Sequence, residues 1–154
     1  MADDEAKAVQ KLFKELKSQI KKEQYSKGVN TCTKILAKVP EDPHAVKCKC
    51  VCYINQQKFD KALGVAMKYE FLAFEKAYCL YRSSKLDEAL SALDDVEGGD
   101  NVVHLRAQIL YKLGQFDKSA DVYAQLVEDS DGQAQSAETL ANLGAAFTAA
   151  NNGS

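Results

Sequence analysis

The sequence predicts an all-α fold in which about four helical hairpins and a C-terminal capping helix stack as a solenoid. Three observations support this expectation. The 154 residues include only 2 Pro and 8 Gly, so few positions interrupt a helix. Apolar residues recur at three- and four-residue spacing, the pattern of a helix with one buried face. A four-residue signature also occurs four times, as expected of a repeat architecture.

The signature consists of a large apolar residue, an Asp or Ser, a charged residue and a small residue. It occurs at 25–28, 59–62, 86–89 and 116–119, and its consecutive copies start 34, 27 and 30 residues apart. We expect the large residue to wedge into the turn of a hairpin. The Asp or Ser then lies in the first turn of the second helix, where the helix dipole favours a negative end. The small residue lets the two helices approach closely.

Turn residues and prolines set the predicted helix boundaries. Pro40 and Pro43 end one helix and start the next. A comparable break is absent from the sequence after Ala66, so the second hairpin is expected to have a shortened second helix. The predicted helices are 5–23, 25–38, 43–56, 59–69, 71–84, 86–96, 100–113, 116–129 and 135–150. They form hairpins near 5–38, 43–69, 71–96 and 100–129, followed by the capping helix, in a single domain over 1–154.

The charge of the chain is uneven. Residues 1–77 carry 15 Lys and Arg against 10 Asp and Glu, a net charge of +5, whereas residues 78–154 have a net charge of −7. The predicted first hairpin holds a cluster of lysines at positions 7, 11, 14, 17, 21 and 22. A solvated helix face explains such a cluster. Attraction of an acidic partner segment or of RNA phosphate is the alternative.

Several classes of protein are disfavoured by the composition. The sequence lacks a run of about 18 apolar residues, and its start is acidic, so we expect no membrane insertion and a cytoplasmic location. Five cysteines cannot all pair, and Cys48, Cys50 and Cys52 cannot converge on one metal from a helix. Since no catalytic combination of residues is recognisable, we expect neither an enzyme nor a bound cofactor.

The candidate binding surface is the non-core side of the first helix of each hairpin. The third hairpin is the most informative, because Phe74, Tyr78 and Tyr81 follow helical spacing and Arg82 lies beside them. Aromatic residues and Arg are the commonest anchors of interfaces. The alternative is that this stripe is simply core between neighbouring helices. The full set of candidates is Phe13, Lys17, Ile20, Lys47, Val51, Ile54, Phe74, Tyr78, Tyr81, Arg82, His104, Gln108, Tyr111 and Lys112.

The repeat pattern resembles that of tetratricopeptide repeats. Leu140, Leu143, Gly144 and Phe147 match the first half of the family pattern, and Ala62, Ala89 and Pro40 match parts of its second half. Intervals of 27 and 30 residues depart from the usual 34, which puts the regularity of the superhelix in doubt but not the hairpins. The resemblance implies a scaffold that binds a segment of another protein.

A more specific resemblance covers roughly residues 25–130. The string from Phe74 to Arg82, with 86–90, 108–117 and 45–52, looks like the N-terminal repeat domain of the signal recognition particle seventy-two-kilodalton subunit family. That resemblance implies binding of a C-terminal segment of the sixty-eight-kilodalton subunit, in a particle that targets nascent secretory proteins to the endoplasmic reticulum. In that family a basic segment further along the chain contacts RNA, so RNA contact here is expected to be indirect.

Three alternatives remain open at this point. The chain is a generic tetratricopeptide adaptor for another protein, or a module that contacts RNA through its lysine-rich first hairpin. Self-association through the exposed end of the solenoid, at 140–147, is the third.

Overall fold

The computed structural model describes residues 2–129, 142 and 145–150, and within them all regular structure is helical. The predicted all-α class is therefore confirmed. The helices are α1 (Ala2–Lys21), α2 (Tyr25–Lys38), α3 (Pro43–Asn55), α4 (Phe59–Ala66), a 3₁₀ turn (Glu70–Leu72), α5 (Ala73–Arg82), α6 (Leu86–Leu93), α7 (Asp100–Lys112) and α8 (Phe116–Asp129). Residues 142 and 145–150 are also helical, whereas 135–141, 143 and 144 of the predicted capping helix lie outside the described residues.

The chain forms two compact units, Met1–Cys79 and Leu80–Ser154. In the first unit, α1 packs on α2, α2 on α3 and α3 on α4. One buried cluster joins Leu16 of α1 to Ile35 of α2 and Ala45 of α3, and a second joins α3 to α4 around Cys50 and Ala62. In the second unit, α6 packs on α7 and α7 on α8.

The turn inside each hairpin has the same geometry four times. Its central residue, two positions after one helix and two before the next, has a positive φ: 59° at Glu23, 61° at Gln57, 62° at Ser84 and 79° at Gly114. The next N–H donates to a carbonyl five residues earlier, at 2.8 Å in the first turn and 2.9 Å in the other three. This is the Schellman pattern, which satisfies carbonyls at the end of the first helix.

The small residue of the signature lies five positions beyond each of these turns. Gly28, Ala62, Ala89 and Ser119 are all buried. Each N–H donates to the carbonyl of the residue that precedes the second helix, at 2.9 to 3.0 Å. In the second unit, Ser119 Oγ also donates to the carbonyl oxygen of Ala107, at 2.8 Å. Cys50 Sγ likewise donates to the carbonyl oxygen of Ala62 at 3.5 Å. Paired helices therefore contact each other directly at Ala62 and Ser119, whereas the close approach at Ala89 stays a prediction.

Gly28 also packs tightly against the next hairpin, because Cys52 belongs to α3. A Cβ atom placed on Gly28 would lie 2.9 Å from Cys52 Sγ and 3.7 Å from Leu16 Cδ1. Real Cβ atoms essentially never approach another heavy atom to 2.9 Å, so α2 can pack against α1 and α3 in this way only with Gly at position 28.

The predicted ends of α1 to α8 lie within three residues of the observed ones, and the largest differences are the start of α1 and the ends of α4 and α6. The helix predicted over 59–69 ends at Ala66, because Leu72 is fully buried in the same cluster as Ala62 and Ala66 and the chain turns back to place it there. The shortening of this helix was expected from the missing break. The helix predicted over 86–96 ends at Leu93, after which i→i−3 hydrogen bonds tighten the backbone. Sequence periodicity does not reveal such a change of winding.

We expect Gly28→Ala to lower the free energy of unfolding by about 1 to 3 kcal/mol, because overpacking outweighs the gain in helix propensity. Urea unfolding monitored by circular dichroism measures the change. Cys52→Ala removes the clashing sulfur atom, so the double variant should lose less stability than the sum of the two single variants.

Gly64→Ala is the matched control, because nothing lies within 4 Å of a Cβ atom on that helical glycine. It should raise stability by up to about 1 kcal/mol. If Gly28→Ala stabilised the chain as much as Gly64→Ala, the tight approach at Gly28 would be refuted.

Candidate functional site

A pocket in the second unit brings together four of the residues that the sequence predicted as partner-binding. It has a volume of about 250 Å³. We name it the tyrosine pocket, and its lining residues are Tyr81, Gln108, Tyr111, Lys112, Tyr123, Asn142 and Ala145. Tyr81 comes from the end of α5, and the next three residues come from the last two turns of α7.

Ring contacts position the aromatic side chains of the tyrosine pocket. The Lys112 ammonium lies 4.9 Å from the centre of the Tyr81 ring, close enough for a cation–π interaction. The Tyr111 ring packs edge-on against Phe116 at 5.0 Å, and 38% of Tyr111 remains exposed. Tyr123 is buried and forms the inner wall. The pocket therefore combines held aromatic faces with hydroxyl, amide and ammonium groups.

The other predicted residues of the second unit lie near these groups. The His104 ring is half-buried and meets the Tyr123 ring edge-on at 5.7 Å. Arg82 is exposed at the end of α5. Sequence reasoning missed Tyr123, because its position in the second helix of a hairpin predicts a core residue. Its ring does fill the core, and it also lines the pocket.

Five of the predicted residues of the first unit are dispersed along α3 and α5. Lys47 is exposed and lies 4.0 Å from a carboxylate oxygen of Glu75. Ile54 packs against the second buried cluster, and the Tyr78 ring lies 6.2 Å from the Phe59 ring. Val51 and Phe74 are half-buried. Ile54 and Tyr78 therefore have a structural role in packing, and their binding of a partner stays a prediction.

A second pocket, of about 660 Å³, lies between α1 and α3. It contains the other three candidates of the sequence analysis, Phe13, Lys17 and Ile20. We name it the basic pocket, and its full lining is Phe13, Lys14, Leu16, Lys17, Ile20, His44 and Cys48. Helical periodicity alone does not predict His44 and Cys48 as lining residues of this pocket, because the packing of α3 on its neighbours brings them beside α1.

The cysteines are free thiols in distinct environments. Cys32, Cys50, Cys52 and Cys79 are fully buried, and Cys48 is half-buried with its Sγ 3.8 Å from His44 Nε2. Desolvation raises the pKa of Cys32 and Cys50 to about 12 and that of Cys52 and Cys79 to about 11. Within the 48–52 run, Cys50 and Cys52 are therefore small buried apolar residues, whereas Cys48 is only half-buried.

Residues 2–129, 142 and 145–150 contain no group of three or more His, Cys, Asp or Glu side chains placed to hold a metal ion. In the same residues, no helix is both long enough and apolar enough to cross a bilayer.

A protein-family model matches most of the chain. Residues 30–145 match the model of a TPR-like repeat named SRP_TPR_like. The chain belongs to the SRP_TPR_like family. The match covers the last nine residues of α2 and all of α3 to α8, which contain the tyrosine pocket residues Tyr81, Gln108 and Tyr111. The predicted tetratricopeptide pattern is thus confirmed.

This SRP_TPR_like chain is similar to proteins named signal recognition particle subunit SRP72. It is 33% identical over 151 residues to the signal recognition particle subunit SRP72 of Dictyostelium discoideum, covering 96% of the chain and 22% of that protein. It is 33% identical over 135 residues to human SRP72, covering 83% of the chain and 20% of that protein. The chain therefore spans about a fifth of the length of these relatives, and the resemblance stated from the sequence is confirmed.

Solved structures support the fold alone. The Naa15 complex titled "Structure of Naa15/Naa10 bound to HypK-THB" has a TM-score of 0.63 at 18% identity, covering 84% of this chain and 22% of that chain. A structure of MamA from AMB-1 has a TM-score of 0.62 at 17% identity, covering 89% of this chain and 87% of that chain. At these identities the likeness shows that the family fold is present.

We expect the SRP_TPR_like chain to lose stability as pH rises above about 9. Thiols of the unfolded chain ionise near 9.0, whereas the buried thiols stay protonated up to about 11 or 12, so alkali favours the unfolded state. Each buried thiol should contribute a loss of about 1.4 kcal/mol between pH 8 and pH 10. Urea unfolding at both pH values measures this loss.

Cys50→Ala should make the fall in stability between pH 8 and pH 10 smaller by about 1.4 kcal/mol. Val46→Ala, at a buried position in the same cluster without a titrating group, should lower stability equally at both pH values. If both variants kept the pH dependence of the unmodified chain, the buried thiols would not cause the fall in stability between pH 8 and pH 10.

Proposed function

We propose that this chain is the protein-binding module of a signal recognition particle subunit, and that its tyrosine pocket holds part of a C-terminal segment of the sixty-eight-kilodalton subunit. The convergence of Tyr81, Gln108, Tyr111 and Lys112 on one pocket carries the proposal. The similarity to SRP72 proteins supports the choice of particle. In this proposal residues 1–154 act as one scaffold rather than as an enzyme, in the cytoplasm, during targeting to the endoplasmic reticulum.

The size of the tyrosine pocket favours a polypeptide segment as its occupant. Pockets that enclose a drug-sized molecule have volumes of about 300 to 1,000 Å³. At about 250 Å³, this pocket suits one or two side chains of a segment that continues over the surface. Tyrosine rings supply large contact area at a small entropic cost, and their hydroxyls hydrogen-bond to a passing backbone.

Ring contacts already order the aromatic side chains of the tyrosine pocket, and this order also favours binding. Lys112 lies over Tyr81 and Phe116 supports Tyr111, so these rings need little reordering when a partner arrives. Groups that are already ordered lose less conformational entropy on association. The exposed fraction of Tyr111, 38%, leaves apolar area for a partner to cover.

Isothermal titration calorimetry with the C-terminal segment of the sixty-eight-kilodalton subunit tests this proposal. We expect Tyr81→Ala and Tyr111→Ala each to weaken binding by about 30-fold, which corresponds to the roughly 2 kcal/mol typical of interface anchors. Tyr111→Phe removes only the hydroxyl and should have a smaller effect. Thermal melting checks that each variant remains folded.

Phe71→Ala is the matched control, because Phe71 is an exposed aromatic residue of the first unit and 51% of it is accessible. Its affinity should stay within about twofold of the unmodified chain. Equal affinity of all three alanine variants and the unmodified chain would contradict the assignment of the tyrosine pocket. Failure of the segment to bind the unmodified chain would contradict the choice of partner and favour a generic adaptor.

A direct contact with RNA is the second candidate function. The exposed lysines at 7, 11, 14, 17, 21 and 22 favour it. Binding through phosphate contacts would weaken steeply as salt rises from about 50 to 200 mM. A filter-binding assay that detects no RNA binding at about 50 mM salt would eliminate this function for the chain.

A further inference from the structure

The basic pocket of the first unit differs in chemistry from the tyrosine pocket. Phe13 and Ile20 are half-buried on its walls, and Leu16 is buried beneath them. The Phe13 ring lies 5.4 Å from the His44 ring of α3. With a volume of about 660 Å³, the pocket has room for several apolar side chains.

Cations line one edge of this apolar pocket. Lys14 and Lys17 of α1 both belong to the lining and are exposed. Two acidic groups near the facing helix already have partners, because Asp42 accepts the Ala45 N–H at 2.9 Å and Glu75 lies 4.0 Å from Lys47. Residues 1–77 have a net charge of +5, so the electrostatic potential around this pocket is also positive.

We propose that the basic pocket docks an acidic amphipathic segment of a partner protein. Apolar side chains of that segment enter between Phe13 and Ile20, and its carboxylates meet Lys14 and Lys17. The apolar interior argues for protein over RNA, because a sugar–phosphate backbone would pair with the lysines and leave the interior uncovered. The inference goes beyond the proposed function, which depends on the tyrosine pocket, since it adds the partner chemistry of a separate surface.

Cys48 provides a reporter inside the basic pocket. All five cysteines lie within residues 2–129, and four of them are fully buried while Cys48 is half-buried. A thiol reagent such as iodoacetamide should therefore alkylate Cys48 first in the folded chain, and mass spectrometry locates the product. Burial raises the pKa of Cys48, so the assay is run at about pH 8.5 to keep some thiolate present.

The experiment compares two synthetic helical peptides that have the same leucine pattern and differ only in charge. One peptide carries Glu at its polar positions and its twin carries Lys. Added to the full 154-residue chain, the Glu peptide should slow alkylation of Cys48 by up to about threefold at a concentration twice its Kd, and the Lys peptide should leave the rate unchanged.

Charge reversal tests the role of the two lysines directly. In the double variant Lys14→Glu with Lys17→Glu, the preference should invert, so that the Lys peptide protects Cys48. The matched control is Lys34→Glu with Lys38→Glu, which makes the same change of net charge at exposed positions of α2 and should keep the original preference. Circular dichroism confirms that both variants keep their helical content.

Three outcomes would overturn the inference. Protection by neither peptide would exclude docking, and equal protection by both would exclude recognition of acidic charge. Protection of Cys48 by single-stranded RNA, with none by the Glu peptide, would assign the surface to nucleic acid. These outcomes are independent of the proposed function, because its calorimetric test uses Tyr81 and Tyr111 and a different probe.

Discussion

The fold depends on the close approach of two helices at one small residue in each hairpin. Gly28, Ala62, Ala89 and Ser119 occupy this position, and each is buried. At Gly28 the packing is also tight against the next hairpin, since a single Cβ atom there would lie 2.9 Å from Cys52 Sγ of α3. Larger side chains would separate the paired helices by more than close packing allows. In the second unit, Ser119 Oγ donates to the carbonyl oxygen of Ala107 and so joins α8 to α7, and both of these helices line the tyrosine pocket.

Much of the fold could be predicted because this constraint produces a short sequence pattern in each hairpin. A large apolar residue followed three positions later by a small one identifies every hairpin. The left-handed turns were not predictable in the same way, since Glu23, Gln57 and Ser84 occupy positions that favour glycine. Their conformation follows from the hydrogen bonds of the turn and from the packing on either side. The early end of α4 likewise follows from the burial of Leu72, a tertiary contact.

The candidate site was predictable in part for a related reason. Helical periodicity placed Tyr81, Gln108 and Tyr111 on the outer side of first helices, and the structure brings them into one pocket. Periodicity could not show that Tyr123 closes this pocket, because that requires the packing of α8 on α7. It also could not separate binding from packing at Tyr78, whose ring contacts Phe59. Functional role depends on neighbours that are distant in sequence.

Site-specific photo-crosslinking tests most directly whether the tyrosine pocket holds a protein segment. A photoreactive p-benzoylphenylalanine replaces Tyr111 in the full-length protein, and the assembled particle is irradiated and analysed by mass spectrometry. The account predicts crosslinks between this position and the C-terminal segment of the sixty-eight-kilodalton subunit. Crosslinks to RNA alone, or the absence of any crosslink to another polypeptide, would contradict it.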